Sequence, residues 1–130
     1  MSSPSLRTPD RPVVLIVDDD PTVRRTIARL LEGAFETREV GSGPEAVDWR
    51  GDPPALFVID YQMPTWNGRE TVERIRAAGT EVPVIMVSAV MDAMLAGTLL
   101  GAGANACLHK LELFDRLAAT ARALVTVEPR

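Results

Sequence analysis

Three short runs of the chain are apolar without a break: Val13 to Val17, Leu56 to Ile59 and Pro83 to Val87. A strand with one wet face alternates apolar and polar residues. A strand apolar at every position must therefore be covered on both faces, which is the situation inside a parallel sheet. Between these runs lie stretches with helical spacing. Asp20-Pro21 opens the first, with Asp as N-cap and Pro in the first turn, and Val23, Ile27, Leu30 and Leu31 form one stripe before Gly33 stops it. Arg69 to Ala78, ended by Gly79, reads as a second helix with Val72 and Ile75 inward. Met91 to Leu100 reads as a third, closed by the Gly101-Ala102-Gly103 turn.

Phe35 to Val40 alternates weakly and suits an edge strand. A turn at Gly41 to Pro44 and a short helix from Glu45 to Arg50 come after it. Ala106 to His109 is a last short strand. The closing helix is expected over Leu113 to Val125, with Leu113, Phe114, Leu117, Ala121 and Leu124 inward. Strand and helix thus alternate along the chain, which implies an α/β fold: a parallel sheet with helices on both faces. The expected organisation is a disordered lead-in over residues 1–12, where Pro4, Pro9 and Pro12 stand among polar residues, one domain over 13–125, and a short tail over 126–130.

The polar residues that end the apolar runs are the informative ones. Asp18 and Asp19 end the first, Asp60 the second, Ser88 the third, and Lys110 the last short strand. In an open α/β sheet, ligands bind beyond the carboxyl ends of the strands, so four strands send polar groups to one edge. Three carboxylates placed together raise one another's pKa. They suit a hard divalent cation, best Mg²⁺, which keeps several waters. With the metal and Lys110 offsetting the negative charge, such a site accepts a phosphoryl group, Ser88 supplies a hydroxyl, and one carboxylate is free to attack phosphorus and form an acyl phosphate.

Composition narrows the alternatives. There are 14 basic and 18 acidic residues, a net charge of −4. No basic stripe with interleaved aromatics is present, so direct nucleic-acid binding is disfavoured. Thirteen of the basic residues are arginine, which leaves Lys110 as the sole lysine. No run nears the roughly 20 apolar residues of a spanning helix. The single cysteine, Cys107, excludes a disulfide scaffold. With no secretory signal in Met1-Ser-Ser-Pro, a cytoplasmic protein is expected.

The segments Val14-Leu-Ile-Val-Asp-Asp-Asp-Pro, Leu56-Phe-Val-Ile-Asp-Tyr-Gln-Met-Pro, Val84-Ile-Met-Val-Ser-Ala and Gly103-Ala-Asn-Ala-Cys-Leu-His-Lys together resemble the receiver domain of two-component response regulators, from about Val13 to Val125. The resemblance implies the flavodoxin-like (CheY-like) fold, with five parallel strands in the order 2-1-3-4-5. It implies that Asp60 accepts the phosphoryl group from a histidine kinase or phosphotransfer protein. Asp19 would hold Mg²⁺ directly and Asp18 through water, and the Gln62 carbonyl would complete the metal shell with Asp60. Ser88 would bond the phosphoryl group, and Lys110 would pair with Asp60 and then with the phosphate. Met63-Pro64 and Gly68 match the loop after the acceptor. No turnover beyond self-phosphorylation and autodephosphorylation at Asp60 is implied.

Some positions depart from that pattern. Cys107 stands where Tyr or Phe is usual, and a thiol is too small to act as the aromatic lever of the usual switch. Leu111 stands where proline usually succeeds the lysine through a cis bond. A cis bond before a non-proline residue costs roughly 3 kcal/mol, so a trans peptide is expected, with Lys110 shifted. Gln62 and Val90 flank the path of attacking water and are expected to tune the lifetime of the phosphate.

Plainer roles suit other residues. The lone His109 reads as structural, Cys107 as a small buried hydrophobe, and Trp66 as a loop aromatic resting on the surface. Arg24, Arg25 and Arg29 read as a solvated helix face, with kinase contact as a second use.

Two competing functions remain open from sequence. One is a receiver that works as a binding module without phosphate, which Cys107 and Leu111 favour. The other is a haloacid-dehalogenase-like phosphatase using Asp18 and Asp20 in its Asp-x-Asp-x-Thr motif, with Ser88 and Lys110 as later motifs. That family needs an acidic pair on a strand after the lysine, whereas here only a helix bearing Asp115 comes next, and Asp60 is left without a role.

Overall fold

A computed structural model of the chain describes residues 10–125. The 126–130 tail and most of the 1–12 lead-in lie outside the described residues. Five strands, β1 (Val13–Val17), β2 (Glu36–Val40), β3 (Leu56–Asp60), β4 (Val84–Ser88) and β5 (Ala106–His109), form one sheet in the order β2-β1-β3-β4-β5. Every pairing is parallel. The helices are α1 (Pro21–Leu31), α2 (Gly43–Val47), α3 (Gly68–Ala77), α4 (Ala93–Ala102) and α5 (Ala118–Leu124). No helix among the described residues is long and apolar enough to cross a membrane.

The apolar runs are buried on both faces because successive side chains of a strand point to opposite sides. Val14, Ile16, Val58, Ile85, Val87 and Leu108 face one layer, where Ile27 and Leu31 of α1 meet Leu117 and Ala121. Leu15, Val17, Phe57, Ile59, Val84 and Met86 face the other, packed on Ala46 of α2, Val72 and Ile75 of α3 and Leu99 of α4. The edge strand β2 is half-buried and carries Glu36, Arg38 and Glu39, as its weak alternation implies.

Capping sets the helix boundaries, and several differ from those expected from sequence. Asp20 caps α1 through the Thr22 amide at 2.9 Å, as expected. Helix α4 begins at Ala93, after Met91, because Asp92 accepts the Leu95 amide at 2.8 Å. It runs through Gly97 and Gly101 and stops only at Gly103, whose φ of 127° suits glycine alone. Helix α2 starts at Gly43, inside the expected turn, with Ser42 as its cap.

The closing helix departs most. It opens with a 3₁₀ turn over Lys110–Glu112 and a π turn over Leu113–Leu117 before α5 begins. Leu113, Leu117 and Ala121 are buried as expected, but Phe114 is 76% exposed. The i→i+5 spacing of a π turn rotates each residue less than an α-helix does. Leu113 and Leu117 stay on the core while Phe114 is carried away from it.

Candidate functional site

The carboxyl ends of β1, β3, β4 and β5 carry the predicted residues to one edge of the sheet. The β3–β4 register sets Asp60 opposite Val87, one residue short of Ser88. The β4–β5 register sets Ser88 opposite His109, the residue before Lys110. Carboxylate oxygens of Asp18, Asp19 and Asp60 lie within 4.8 Å of one another. Lys110 Nζ stands 3.4 Å from Asp60 Oδ1 and 4.0 Å from Asp18 Oδ2.

Burial makes this arrangement costly. Asp18 and Asp60 are almost wholly buried, whereas Asp19 is exposed. Asp18 Oδ1 accepts the Asp20 amide at 2.9 Å, but Asp18 Oδ2 and Asp60 Oδ1 receive no hydrogen bond. Lys110 is close enough to both oxygens to form an ion pair with each. Loss of hydration pushes the Asp18 carboxyl up to about 6, opposed by the Asp20 amide and by Lys110 and assisted by the charges of Asp60 and Asp19. Loss of hydration also raises Asp60, with Lys110 and the Gln62 backbone N–H working against it.

Three carboxylates against one ammonium leave two negative charges uncompensated, which is the charge of one divalent cation. All the donors are hard oxygens, and two of them are buried without a hydrogen bond among the described residues. Such a set fits Mg²⁺, and Asp18, Asp19 and Asp60 are the side chains able to hold it. Gln62 sits exposed in the loop after β3.

Residues 14–122 match the family described as the response regulator receiver domain. The chain belongs to this family. The receiver is 33% identical over 116 residues to the response regulator MprA of Mycobacterium avium (strain 104), covering 86% of this chain and 50% of that protein. It is 37% identical over 101 residues to a protein-glutamate methylesterase/protein-glutamine glutaminase of Nocardioides sp. (strain ATCC BAA-499 / JS614), covering 71% of this chain and 27% of that protein. The chain therefore spans half or less of these relatives' length. Among solved structures, the Francisella response regulator 1452 receiver domain superposes with a TM-score of 0.82 at 26% identity, covering 88% of this chain and 97% of that one. The sheet order and the helices on both faces are those of the CheY-like fold.

Residues around the receiver site hold its parts in place. Ser88 is fully buried, and its Oγ accepts the Val90 amide at 3.1 Å, which fixes the turn after β4. Two residues already named from sequence prove to be supports, one of them, Arg24, against expectation. Arg24 is half-buried; its Nη1 donates to the Asp18 carbonyl at 2.6 Å and its Nε to Glu39 at 3.0 Å, so it braces the β1 end instead of facing solvent. Arg25 and Arg29 are exposed, as expected.

The second support is Gly68. Its amide donates to the Tyr61 carbonyl at 2.8 Å and closes the loop after the acceptor. A Cβ there would lie 2.5 Å from Met86 Sδ, 2.7 Å from Tyr61 Cα and 2.9 Å from the Asp60 carbonyl oxygen. Two of those atoms are backbone and cannot yield without moving the end of β3. Gly68→Ala is expected to destabilise the fold by about 2–4 kcal/mol, read from the midpoint of guanidinium unfolding. An unshifted midpoint would show that the loop gives way freely.

The remaining singled-out residues take structural places. Trp66 is half-buried against Gly43, with the Arg74 guanidinium 4.7 Å from its ring centroid. Cys107 is half-buried, with Sγ 3.8 Å from the Ala96 carbonyl oxygen, and burial pushes its thiol up, away from the reactive thiolate. The Lys110–Leu111 peptide is trans, there being no cis bond among the described residues. Lys110 nevertheless reaches both buried carboxylates.

Proposed function

We propose that this receiver is the phosphorylation-switched module of a two-component system. It takes a phosphoryl group on Asp60 from a histidine kinase or a histidine phosphotransfer protein, with Mg²⁺. The observation that carries the reading is the pair of buried oxygens, Asp18 Oδ2 and Asp60 Oδ1, which receive no hydrogen bond among the described residues and face the only lysine.

Asp60 attacks the phosphorus of a phosphohistidine. The new O–P bond forms as the N–P bond breaks, and the imidazole leaves with the electron pair. Asp18, Asp19 and Asp60, with the Gln62 carbonyl, would hold the metal, which when bound offsets the negative charge that the phosphoryl oxygens bring to the carboxylates. Lys110 tracks the charge from the Asp60 carboxylate onto the phosphoryl oxygens. The Ser88 hydroxyl donates to one of them and registers the group's arrival for the turn after β4. Val90 and Gln62 flank the route of hydrolytic water.

A phosphatase reading through Asp20 is disfavoured, because its carboxylate is spent on capping α1 and is not among the clustered acids.

Incubation with acetyl phosphate and Mg²⁺, and then intact mass at acidic pH, tests the proposal. One added phosphoryl group is expected, absent with a chelator and absent in Asp60→Ala. No gain in the wild-type chain would overturn the phosphate switch in favour of a phosphate-independent binding module.

A further inference from the structure

We infer that His109 is a positioning residue for Lys110, taking over the role that the missing proline leaves open. Proline at position 111 would have no N–H, whereas Leu111 has one that is free to bond a side chain at the head of the turn. His109 Nδ1 accepts that N–H at 3.0 Å. In return, Glu112 Oε1 accepts the His109 backbone N–H at 2.8 Å. The two bonds form a capping box built on histidine.

The consequence falls on Lys110, which sits between the two bonded amides. Its backbone is fixed at the first residue of the 3₁₀ turn, and from there its ammonium reaches Asp60 and Asp18. The apolar side chains on the outer side of this turn do not hold it, since Leu111 is 85% exposed and Phe114 lies away from the core. Arg116 Nη1 donates to Glu112 Oε2 at 3.3 Å and steadies the other half of the box. Because Nδ1 accepts, the imidazole carries its hydrogen on Nε2. Asparagine, whose side-chain oxygen accepts at the same cap position, is the conservative replacement.

This inference rests on the phosphoryl-transfer reading for its effect on rate but not for its effect on Lys110. The test uses the sole lysine. Protein labelled with heavy-isotope nitrogen at lysine gives a single ammonium resonance, read beside the rate of phosphoryl uptake from acetyl phosphate with Mg²⁺. His109→Ala is expected to move that resonance to the position of an exposed lysine and to slow uptake by about ten- to a hundredfold. His109→Asn is expected to keep both close to wild type. Glu112→Ala removes the other half of the box and is expected to displace the resonance too, so the test stands even where His109→Ala does not fold. An unmoved Lys110 resonance in a folded His109→Ala chain overturns the inference, as does a His109→Asn chain that behaves like alanine. Should wild type take up no phosphate, the functional reading fails while the resonance still decides the role of His109.

Discussion

Asparagine in place of Asp18 is expected to stabilise the metal-free protein at pH 8 by about 3 kcal/mol and, in the same molecule, to abolish Mg²⁺-dependent phosphoryl uptake. The two effects have opposite signs because, on the proposed reading, the clustered carboxylates serve a bound cation, while without it their burial is a cost to the fold. The Asp18 carboxyl titrates at about 6 in the folded chain against an ordinary value of 3.8. Each unit of displacement corresponds to about 1.4 kcal/mol. The folded state holds the proton more tightly, so this group favours folding while it is protonated. The benefit is present below pH 4, fades as pH rises through 6, and is gone above. Asp60 is displaced in the same direction and adds to the trend.

Metal-free wild type should therefore unfold at lower urea at pH 8 than at pH 5.5, and Mg²⁺ should reverse the order by binding only the folded, deprotonated site. Asparagine keeps the bond from the Asp20 amide through its oxygen and puts an amide where Asp18 Oδ2 has no donor. It should flatten the pH trend and remove the response to Mg²⁺. A lower urea midpoint for Asp18→Asn at pH 8 without metal would show that the charge is not the burden argued here.

The sheet was legible because its signal is local. Five adjacent apolar residues at Val13–Val17 can be buried only from both sides, and the polar residue that ends each run then falls at the carboxyl edge. Strand order was another matter, since it came from the resemblance; periodicity carries no information on which strands are neighbours. The residues of the candidate site were legible as types at strand ends, but the burial that leaves two of their oxygens without a hydrogen-bond donor was not. Whether an oxygen of Asp18 or Asp60 lacks a donor depends on where amides and the Lys110 ammonium come to rest, and spacing does not encode that.

The displaced boundaries of α4, α2 and the closing helix share a cause. Asp92 in α4, Ser42 in α2 and His109 in the last turn each act through one side-chain bond to a backbone amide two or three residues on. Such a bond moves a boundary without disturbing the apolar pattern. The His109-x-x-Glu112 spacing was a usable sign, but the capping box is usually sought at serine or threonine. Phe114 went wrong because a stripe drawn at 3.6 residues per turn cannot foresee a π turn.

Lys110→Met removes the lysine ammonium that stands near two buried carboxylates and leaves the neighbours as they are. In the metal-free chain at pH 8 the expected loss is about 2–4 kcal/mol, since a buried ion pair broken on one side strands the other charge. Lys110 is about one quarter exposed, while its partners are almost wholly buried, so the stranded charges bear the cost. The loss should shrink at pH 5, where Asp18 takes up a proton, and should be partly recovered by Mg²⁺. Uptake of phosphate should fall by a factor of about 10²–10³, because methionine offers nothing to the phosphoryl oxygens. Combining the two substitutions sharpens the claim. If Lys110 matters because Asp18 is charged, Lys110→Met should cost much less in the Asp18→Asn background than in wild type, a coupling read from four unfolding midpoints. Equal costs in both backgrounds would mean that the lysine stabilises the fold through its aliphatic stem, and the electrostatic account of the site would fail.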